Sequence, residues 1–224
     1  MKLAVFSYRN DETAYFDKFV EQYNADAVFT SEALTLESAE FAKGCDCISI
    51  ITTKVDEKLL DKLKECRVKF ISTRTIGYDH IDIEYAHKIG ISVGNVSYSP
   101  NSVAEYTVML ILMANRKVKH ILERSLGQDY SLKGKQGKEL RNQTVGVIGT
   151  GKIGAAALDV IEDETNVFYN DFKYAPIKNR ELAILMSFPN VTVMPHTAFY
   201  TDQAVSDMVE NSILSCIENC GKIK

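Results

Sequence analysis

The sequence predicts an α/β protein built on a doubly wound parallel sheet. The first hundred residues contain five short apolar segments that alternate with segments of helical period. Two of the predicted helices between them each end directly before a glycine, Gly44 or Gly90, which has the position of a C-cap glycine. Because the crossovers between parallel strands are right-handed, this alternation places helices on both faces of one flavodoxin-like sheet.

The elements of this sheet can be assigned one by one. The strands are predicted at residues 2–7, 27–30, 47–51, 68–72 and 91–96. The helices are predicted at residues 13–23, 36–43, 56–65 and 81–89. The helices are assigned from apolar residues three or four positions apart, such as Phe16, Phe19 and Tyr23 in the first helix. Ligands of such a sheet bind at the carboxyl ends of its strands. Those ends are predicted at residues 8–10, 52–53, 73–78 and 97–101.

The second half of the chain begins with a predicted long helix. Ser102 and Glu105 have the spacing of a capping box, and residues 103–126 follow as one helix. Residues 127–140 are polar and contain glycine, which predicts a loop. Further on, residues 181–186 and 202–220 are predicted as helices and residues 191–194 as a strand.

A phosphate-binding motif lies between these elements. Residues 144–148 are predicted as a buried strand, which leads directly into a G-x-G-x-x-G motif. The candidate cofactor-binding residues are Gly149, Gly151, Lys152, Ile153 and Gly154. A helix, a second strand and an acidic residue about twenty positions further on should follow. The ten residues that follow are too few for these elements, so the sequence predicts a truncated Rossmann remnant.

Composition excludes several classes of function. Lys and Arg total 26 against 30 Asp and Glu, so no strongly basic surface for nucleic acid is expected. The longest apolar run, residues 108–114, is too short for a membrane helix, which needs about 20 residues. The amino terminus is interpreted as a first strand, not a signal peptide. Together with five cysteines, an odd number, this favours a cytoplasmic protein with reduced thiols. No metal site is predicted, because the cysteine spacing does not match that of structural zinc.

Five stretches of the chain, in order, carry a family resemblance. These stretches are residues 69–77, 94–105, 144–154, 156–160 and 195–201. They resemble the D-isomer-specific 2-hydroxyacid dehydrogenases, in particular D-lactate dehydrogenases such as those of vancomycin-resistance operons. The resemblance implies that residues 1–101 and 199–224 form the substrate (catalytic) domain. Residues 102–198 would then be the remnant of an NAD-binding domain, internally deleted after Gly154 by roughly a hundred residues of a sheet of about six strands.

The resemblance also implies a reaction, the NAD-dependent reduction of a 2-oxo acid such as pyruvate. His196 matches the general acid that protonates the carbonyl oxygen, for which a histidine pKa is suited. Glu164 matches the carboxylate that orients this histidine. The catalytic arginine of the family belongs to the missing segment, so this chain alone is expected to be inactive.

The substrate-binding residues implied by the resemblance lie in both halves of the chain. Ile76 and Gly77 match the loop whose backbone N–H groups hold the substrate carboxylate, and Tyr98 and Phe199 match residues that flank the substrate. The expected small-molecule partner is therefore a 2-oxo or 2-hydroxy acid. A homodimer is also considered, because a shortened nucleotide-binding sheet leaves apolar surface uncovered.

Each of these interpretations has an alternative. His196 could lie in a surface loop, and Glu164 belongs to an acidic run that could be solvated. Arg74 could bind an anion, although pairing with a carboxylate is favoured, and His80 is interpreted as structural, like the histidines at positions 87 and 120. For the whole chain, the alternatives are an enzyme completed by another subunit, or a non-catalytic module for small-carboxylate binding or oligomerisation.

Overall fold

A computed structural model describes residues 1–141, 143, 167–168, 172–173, 179–187 and 193–220 of the chain. The chain divides into two compact units. Unit 1 consists of Met1–Ser99 and Asp202–Lys224, and unit 2 consists of Pro100–Thr201. The assignment of these units to a substrate domain and a cofactor domain stays a prediction, and each unit is described by itself.

Unit 1 contains one parallel sheet of five strands. These are β1 (Lys2–Val5), β2 (Asp26–Phe29), β3 (Cys47–Ile50), β4 (Phe70–Thr73) and β5 (Ser92–Asn95). Their order in space is β2-β1-β3-β4-β5, with every neighbouring pair parallel. This is the flavodoxin-like order, so the predicted fold of the substrate domain is confirmed.

Helices cover both faces of the sheet. They are α1 (Thr13–Gln22), α2 (Glu57–Glu65), α3 (Ile83–Lys88) and the C-terminal α7 (Asp202–Cys220), with 3-10 turns at Asn10–Glu12 and Ser38–Ala42. Leu59, Leu60 and Leu63 of α2 belong to one apolar cluster, while Val209 and Ile213 of α7 belong to the cluster on the other face. Every residue of β3 and β4 is therefore buried, as expected for the centre of a parallel sheet.

Local sequence explains how these helices begin and end. Asp56 and Asp82 precede α2 and α3, and each carboxylate accepts a hydrogen bond from a backbone N–H of the first turn, at 3.1 and 3.0 Å. Gly44 and Gly90 adopt the left-handed conformation, with φ of 81° and 78°, as predicted. One prediction was wrong in type: residues 36–43 form a 3-10 turn of five residues, Ser38–Ala42, not an α-helix.

The described part of unit 2 contains three helices, α4 (Asn101–Asn115), α5 (Val118–Leu126) and α6 (Arg180–Ser187). The single helix predicted over residues 103–126 was wrong, because the backbone breaks at Lys117, whose φ of 54° is left-handed. The predicted capping box was also wrong. The helix begins two residues earlier with Pro100 at the N-cap, and the Ser102 hydroxyl is buried without a hydrogen-bond partner among the described residues.

Several predictions concern residues outside the described part of the chain. They are the strand at 144–148, the strand-like residues 158–161 and most of the strand at 191–194. The helix predicted at 181–186 is confirmed as α6, and that at 202–220 is confirmed as α7. None of the helices in the described ranges is long and apolar enough to cross a membrane.

Candidate functional site

The carboxyl ends of β4 and β5 bring a loop and an asparagine together. Strand β4 ends at Thr73, and residues 74–80 continue without helix or strand. Strand β5, its parallel neighbour, ends at Asn95, which pairs in register with Thr73. This edge of a doubly wound sheet is where ligands bind, so the loop has the position that the sequence predicts for a site.

Three consecutive peptide groups of this loop are fixed by their carbonyl oxygens. The Thr75 carbonyl accepts a hydrogen bond from the backbone N–H of Val96 at 3.2 Å. The Ile76 carbonyl accepts one from the side-chain amide of Asn95 at 2.8 Å. The Gly77 carbonyl accepts one from the Thr75 hydroxyl at 2.6 Å. Each bond fixes the orientation of one peptide plane.

The N–H groups of the same three peptides belong to Ile76, Gly77 and Tyr78. In a planar trans peptide the N–H points opposite to the carbonyl, so each N–H points away from the atom that binds its carbonyl. Within the described ranges, none of the three donates to a protein acceptor. Gly77 and Tyr78 are exposed. Successive backbone N–H groups that are held in this way can bind an anion such as a carboxylate.

Arg74, directly before this loop, has all its partners inside the protein. Its side chain is fully buried, and its guanidinium lies 3.1 Å from the carboxylate of Glu12, which is also fully buried. It further donates to the Ser49 hydroxyl at 2.8 Å and to the Phe6 carbonyl at 3.0 Å. The predicted pairing with a carboxylate is confirmed, and Arg74 does not provide the charge of an anion site.

The buried ion pair is part of a larger polar network. Ser49 shares a 2.7 Å hydrogen bond with Ser212 of α7, and Ser212 shares a second one of 3.0 Å with Ser72 of β4. Burial lowers the pKa of the Arg74 guanidinium, while the charge of Glu12 acts in the opposite direction. The network connects Arg74, which directly precedes the loop, to the C-terminal helix α7.

His80 lies at the end of the loop and contacts the last residue of β4. Its Nε2 lies 3.2 Å from the Thr73 hydroxyl, and its carbonyl accepts a hydrogen bond from the Val55 N–H at 2.8 Å. Burial lowers the pKa of the imidazole, while a hydrogen bond to the Ile51 carbonyl and the charge of Asp79 act to raise it. These contacts agree with the prediction that His80 has a structural role. His80 is also a titratable group at the end of the loop.

Tyr98 follows β5 within unit 1 and is partly buried. Burial raises the pKa of its phenol, so the hydroxyl stays protonated at neutral pH and can act as a hydrogen-bond donor. Its role beside a substrate stays a prediction.

The predicted site residues of unit 2 lie in the segment before α7. The rings of His196 and Phe199 are perpendicular, with centroids 6.0 Å apart. His196 has a left-handed backbone, with φ of 53°, and the next residue, Thr197, shares a 3.0 Å hydrogen bond with Tyr106 of α4. The structure therefore gives His196 a defined aromatic neighbour. Glu164, its predicted partner, lies outside the described residues.

The cofactor residues predicted by the glycine motif also lie outside the described residues. These are Gly149, Gly151, Lys152, Ile153 and Gly154. In the ranges that the structure describes, unit 2 contributes helices and no strand to a sheet. A dinucleotide binds across the crevice of a sheet, and NAD binding by this chain stays a prediction. The same ranges contain no cluster of His, Cys, Asp and Glu suited to a metal ion.

Asn95 is a residue of the candidate site that the sequence did not reveal, and Thr75 was covered only as part of the predicted strand end at residues 73–78. Strand β5 was predicted to continue to Val96, which placed its carboxyl end at residue 97 and left Asn95 inside a strand. In the structure the strand ends at Asn95. The sequence did contain one signal for Asn95. It is a polar residue close to the predicted end of a strand, and that strand lies next to β4, which leads into the loop.

Comparison with known proteins identifies similar chains. The family model for the D-isomer specific 2-hydroxyacid dehydrogenase catalytic domain matches residues 3–221. A D-specific alpha-keto acid dehydrogenase of Enterococcus faecium is 30% identical, with 96% of this chain and 96% of that protein covered. An aromatic 2-oxoacid reductase of Clostridium sporogenes is also 30% identical, with coverage of 97% and 96%.

A solved structure has the same fold. D-lactate dehydrogenase with NAD+ from Lactobacillus jensenii superposes with a TM-score of 0.78 at 22% identity, with 97% of this chain and 96% of that chain covered.

The length of these alignments shows that this chain is shorter than its relatives. The alignment with the Enterococcus faecium protein extends over 309 positions, 85 more than the 224 residues of this chain. At least 85 positions of the relative therefore have no counterpart here. Because both proteins are covered almost from end to end, the difference is internal. The predicted shortening of the chain is thereby confirmed, while its place after Gly154 stays a prediction.

Proposed function

Because this chain belongs to the D-isomer specific 2-hydroxyacid dehydrogenase family, we propose that it binds a small 2-oxo or 2-hydroxy carboxylate at the loop Ile76–Tyr78. We propose further that it does not reduce this ligand by itself. The first statement rests on the retained loop and the second on the internal shortening of the chain.

One observation carries the binding proposal. Three consecutive peptide planes are fixed by Val96, Asn95 and Thr75, and their N–H groups have no protein acceptor among the described residues. Such a loop is organised before the ligand arrives, so little conformational entropy is lost on binding. The similar proteins act, by their names, on alpha-keto and 2-oxo acids. A carboxylate is the feature that these substrates share.

The missing segment is the reason for expecting no turnover. By the family resemblance, NAD supplies the hydride, an arginine of the missing segment binds the substrate carbonyl, and His196 supplies the proton. The chain retains His196, but at least 85 positions of the Enterococcus faecium relative have no counterpart in it. Losing an oriented charged group of this kind costs on the order of 100-fold or more in rate, and without the hydride donor there is no reaction.

The test combines turnover and binding in one preparation. Purified protein is mixed with NADH and pyruvate, and NADH absorbance is followed at high protein concentration. NADH binding is followed by its own emission, which is free of tryptophan background because the chain contains no tryptophan. Pyruvate binding is followed by amide NMR signals. We expect no oxidation of NADH, and pyruvate-dependent shifts of the Ile76, Gly77 and Tyr78 amides.

Two outcomes would contradict this proposal separately. Formation of D-lactate would show that the shortened chain is a complete enzyme or becomes one by association. If the three amide signals respond to none of pyruvate, D-lactate and acetate, the binding function is ruled out. Acetate is the matched control, because it carries the carboxylate without the 2-oxo group.

A second function, association of two copies, is favoured by the apolar surface of α4. A shallow groove on this helix is lined mainly by apolar side chains, and Val108 and Leu112 are 55% and 45% exposed. A helix that is apolar on most of its faces is normally covered. We expect light scattering to give the mass of a dimer, and Leu112→Glu to give a monomer. A wild-type monomer would rule this function out.

A further inference from the structure

A chain of short hydrogen bonds connects His80 to the carbonyl of Gly77. His80 Nε2 lies 3.2 Å from the Thr73 hydroxyl, which lies 2.6 Å from the Thr75 hydroxyl. The Thr75 hydroxyl lies 2.6 Å from the Gly77 carbonyl oxygen. The Thr73 hydroxyl also lies 2.9 Å from the Ile51 carbonyl oxygen. A titratable ring is thus linked to one of the peptide planes that hold the loop.

These contacts require more protons than the two hydroxyls supply. Thr73 and Thr75 each have one proton to donate. The contacts to the Ile51 carbonyl, between the two threonines, and to the Gly77 carbonyl require three. When Nε2 carries no proton, it needs one from Thr73 as well. In this neutral tautomer, with the proton on Nδ1, the Gly77 carbonyl therefore competes with other acceptors for the Thr75 proton.

Protonation of His80 removes this competition. The imidazolium has two N–H groups, whereas the neutral ring has one. In the cation Nε2 always carries a proton, which can serve the Thr73 oxygen, so Thr73 no longer has to donate to the ring. The Thr73 proton then goes to Thr75, and the Thr75 proton goes to Gly77. All hydrogen bonds of the chain point in the same direction, which strengthens each of them.

We propose that His80 is a positioning residue that, through Thr73 and Thr75, sets how firmly the Gly77–Tyr78 peptide is held, so that carboxylate binding at the loop strengthens when His80 is protonated. The Tyr78 N–H belongs to this peptide, and its direction follows that of the Gly77 carbonyl. This inference rests on the proposed binding function, but part of its test does not involve a ligand.

The surroundings of His80 define the pH range of the effect. Burial lowers the pKa of the imidazole, and within the described residues Asp79 is the charged group that acts on it, from the same loop. The groups that contact the ring from β4 and from the end of β3 are the neutral Thr73 hydroxyl and Ile51 carbonyl. The cation therefore forms below the ordinary histidine range, and the effect appears as the pH falls below about 6.5.

The ligand-free test follows NMR signals during a pH titration of the full chain. We expect the Tyr78 amide nitrogen and the Gly77 carbonyl carbon to titrate with the same midpoint as the His80 ring. Direct influence of the ring charge, which lies only two residues away, is separated by substitution at Thr75. In Thr75→Val the His80 ring still titrates, but the Tyr78 signal no longer follows it, whereas Thr75→Ser retains the coupling. Persistence of the Tyr78 titration in Thr75→Val would overturn the proposal.

The ligand test measures pyruvate affinity at two pH values on either side of the His80 midpoint. We expect the wild type to bind about fivefold more tightly at the lower pH, the value of one hydrogen bond. His80→Gln should bind equally at both, while His87→Gln, which changes an exposed histidine, should behave like the wild type. A pH effect that persists in His80→Gln would overturn the proposal and leave carboxylate binding intact. Absence of binding at any pH would remove the binding function, and the ligand-free titration would still decide the role of His80.

Discussion

Arg74 and the loop Thr75–Tyr78 are neighbours in sequence but use their polar groups in opposite ways. The guanidinium of Arg74 is fully buried and directs its donors to Glu12, Ser49 and the Phe6 carbonyl. In the loop, the backbone carbonyl groups of residues 75–77 are hydrogen-bonded within the protein. The N–H groups of Ile76, Gly77 and Tyr78 have no acceptor in the part of the chain that the structure describes.

The difference separates stability from binding. A buried ion pair contributes little net stability, but breaking it leaves an uncompensated charge, so the surrounding elements are held in one arrangement. The loop has no such charge and depends on hydrogen bonds that each contribute about 1 kcal/mol. Substitutions at Arg74 should therefore change folding, whereas substitutions at the bonds of the loop should mainly change ligand affinity.

The largest effect is expected from Arg74→Met. Glu12 is fully buried, and without Arg74 its carboxylate keeps only the partly exposed Arg9 guanidinium, 3.5 Å away, as a compensating charge. We expect the free energy of unfolding in urea, followed by circular dichroism, to fall by about 3–5 kcal/mol. Lys69→Met is the matched control, because the Lys69 side chain is more than half exposed and pairs with Asp46 at the surface, away from Glu12. Its loss should cost at most about 1 kcal/mol.

A second variant tests the cause of this effect. In Arg74→Met combined with Glu12→Leu, both charges are replaced by apolar groups, and most of the lost stability should return. If the double variant is as unstable as Arg74→Met alone, the hydrogen bonds from Arg74 to Ser49 and to the Phe6 carbonyl dominate over the charge of Glu12.

Unit 1 shows how far the sequence determines the fold. Strands β3 and β4 are apolar and short, and they lie between helical segments. Because both of their faces are buried, they belong at the centre of a parallel sheet. The partner of Arg74 could not be named in advance. Glu12 lies 62 positions away, and the sequence offers 30 acidic residues with no signal that distinguishes this one.

Unit 2 shows where sequence patterns fail. Residues 103–126 have a continuous helical pattern, without glycine or proline at the break. A left-handed backbone at Lys117 has no local signature, because the sequence preference for this conformation belongs to glycine and asparagine. The candidate site was predicted as far as the family resemblance reached, to Ile76 and Gly77. The residues that orient these peptides, Asn95 and Thr75, depend on where β5 ends and on side-chain directions that a pattern does not contain.

A smaller effect is expected from Asn95→Ala, which releases the Ile76 carbonyl. The Ile76–Gly77 peptide then loses its only described hydrogen bond, so the Gly77 N–H is less well oriented. Pyruvate affinity, measured by amide NMR titration, should fall by about fivefold. Asn219→Ala is the control, because it removes a comparable 2.8 Å bond to a backbone carbonyl within α7. Equal losses of affinity in both variants would show that the loop is not specifically involved.

The smallest effect is expected from Gly77→Ala, which tests whether the loop is strained. A Cβ at this position would meet only the Asp79 carboxylate, at 4.0 Å, and φ of Gly77 lies outside the left-handed region. Alanine should therefore raise the free energy of unfolding by about 0.5 kcal/mol, since it reduces the freedom of the unfolded chain. Gly44→Ala, where φ is 81° with open space around it, should lower it by about 1 kcal/mol. If Gly77→Ala were destabilising to the same extent, the loop would store strain, and its affinity for carboxylates would depend on more than the three peptide hydrogen bonds.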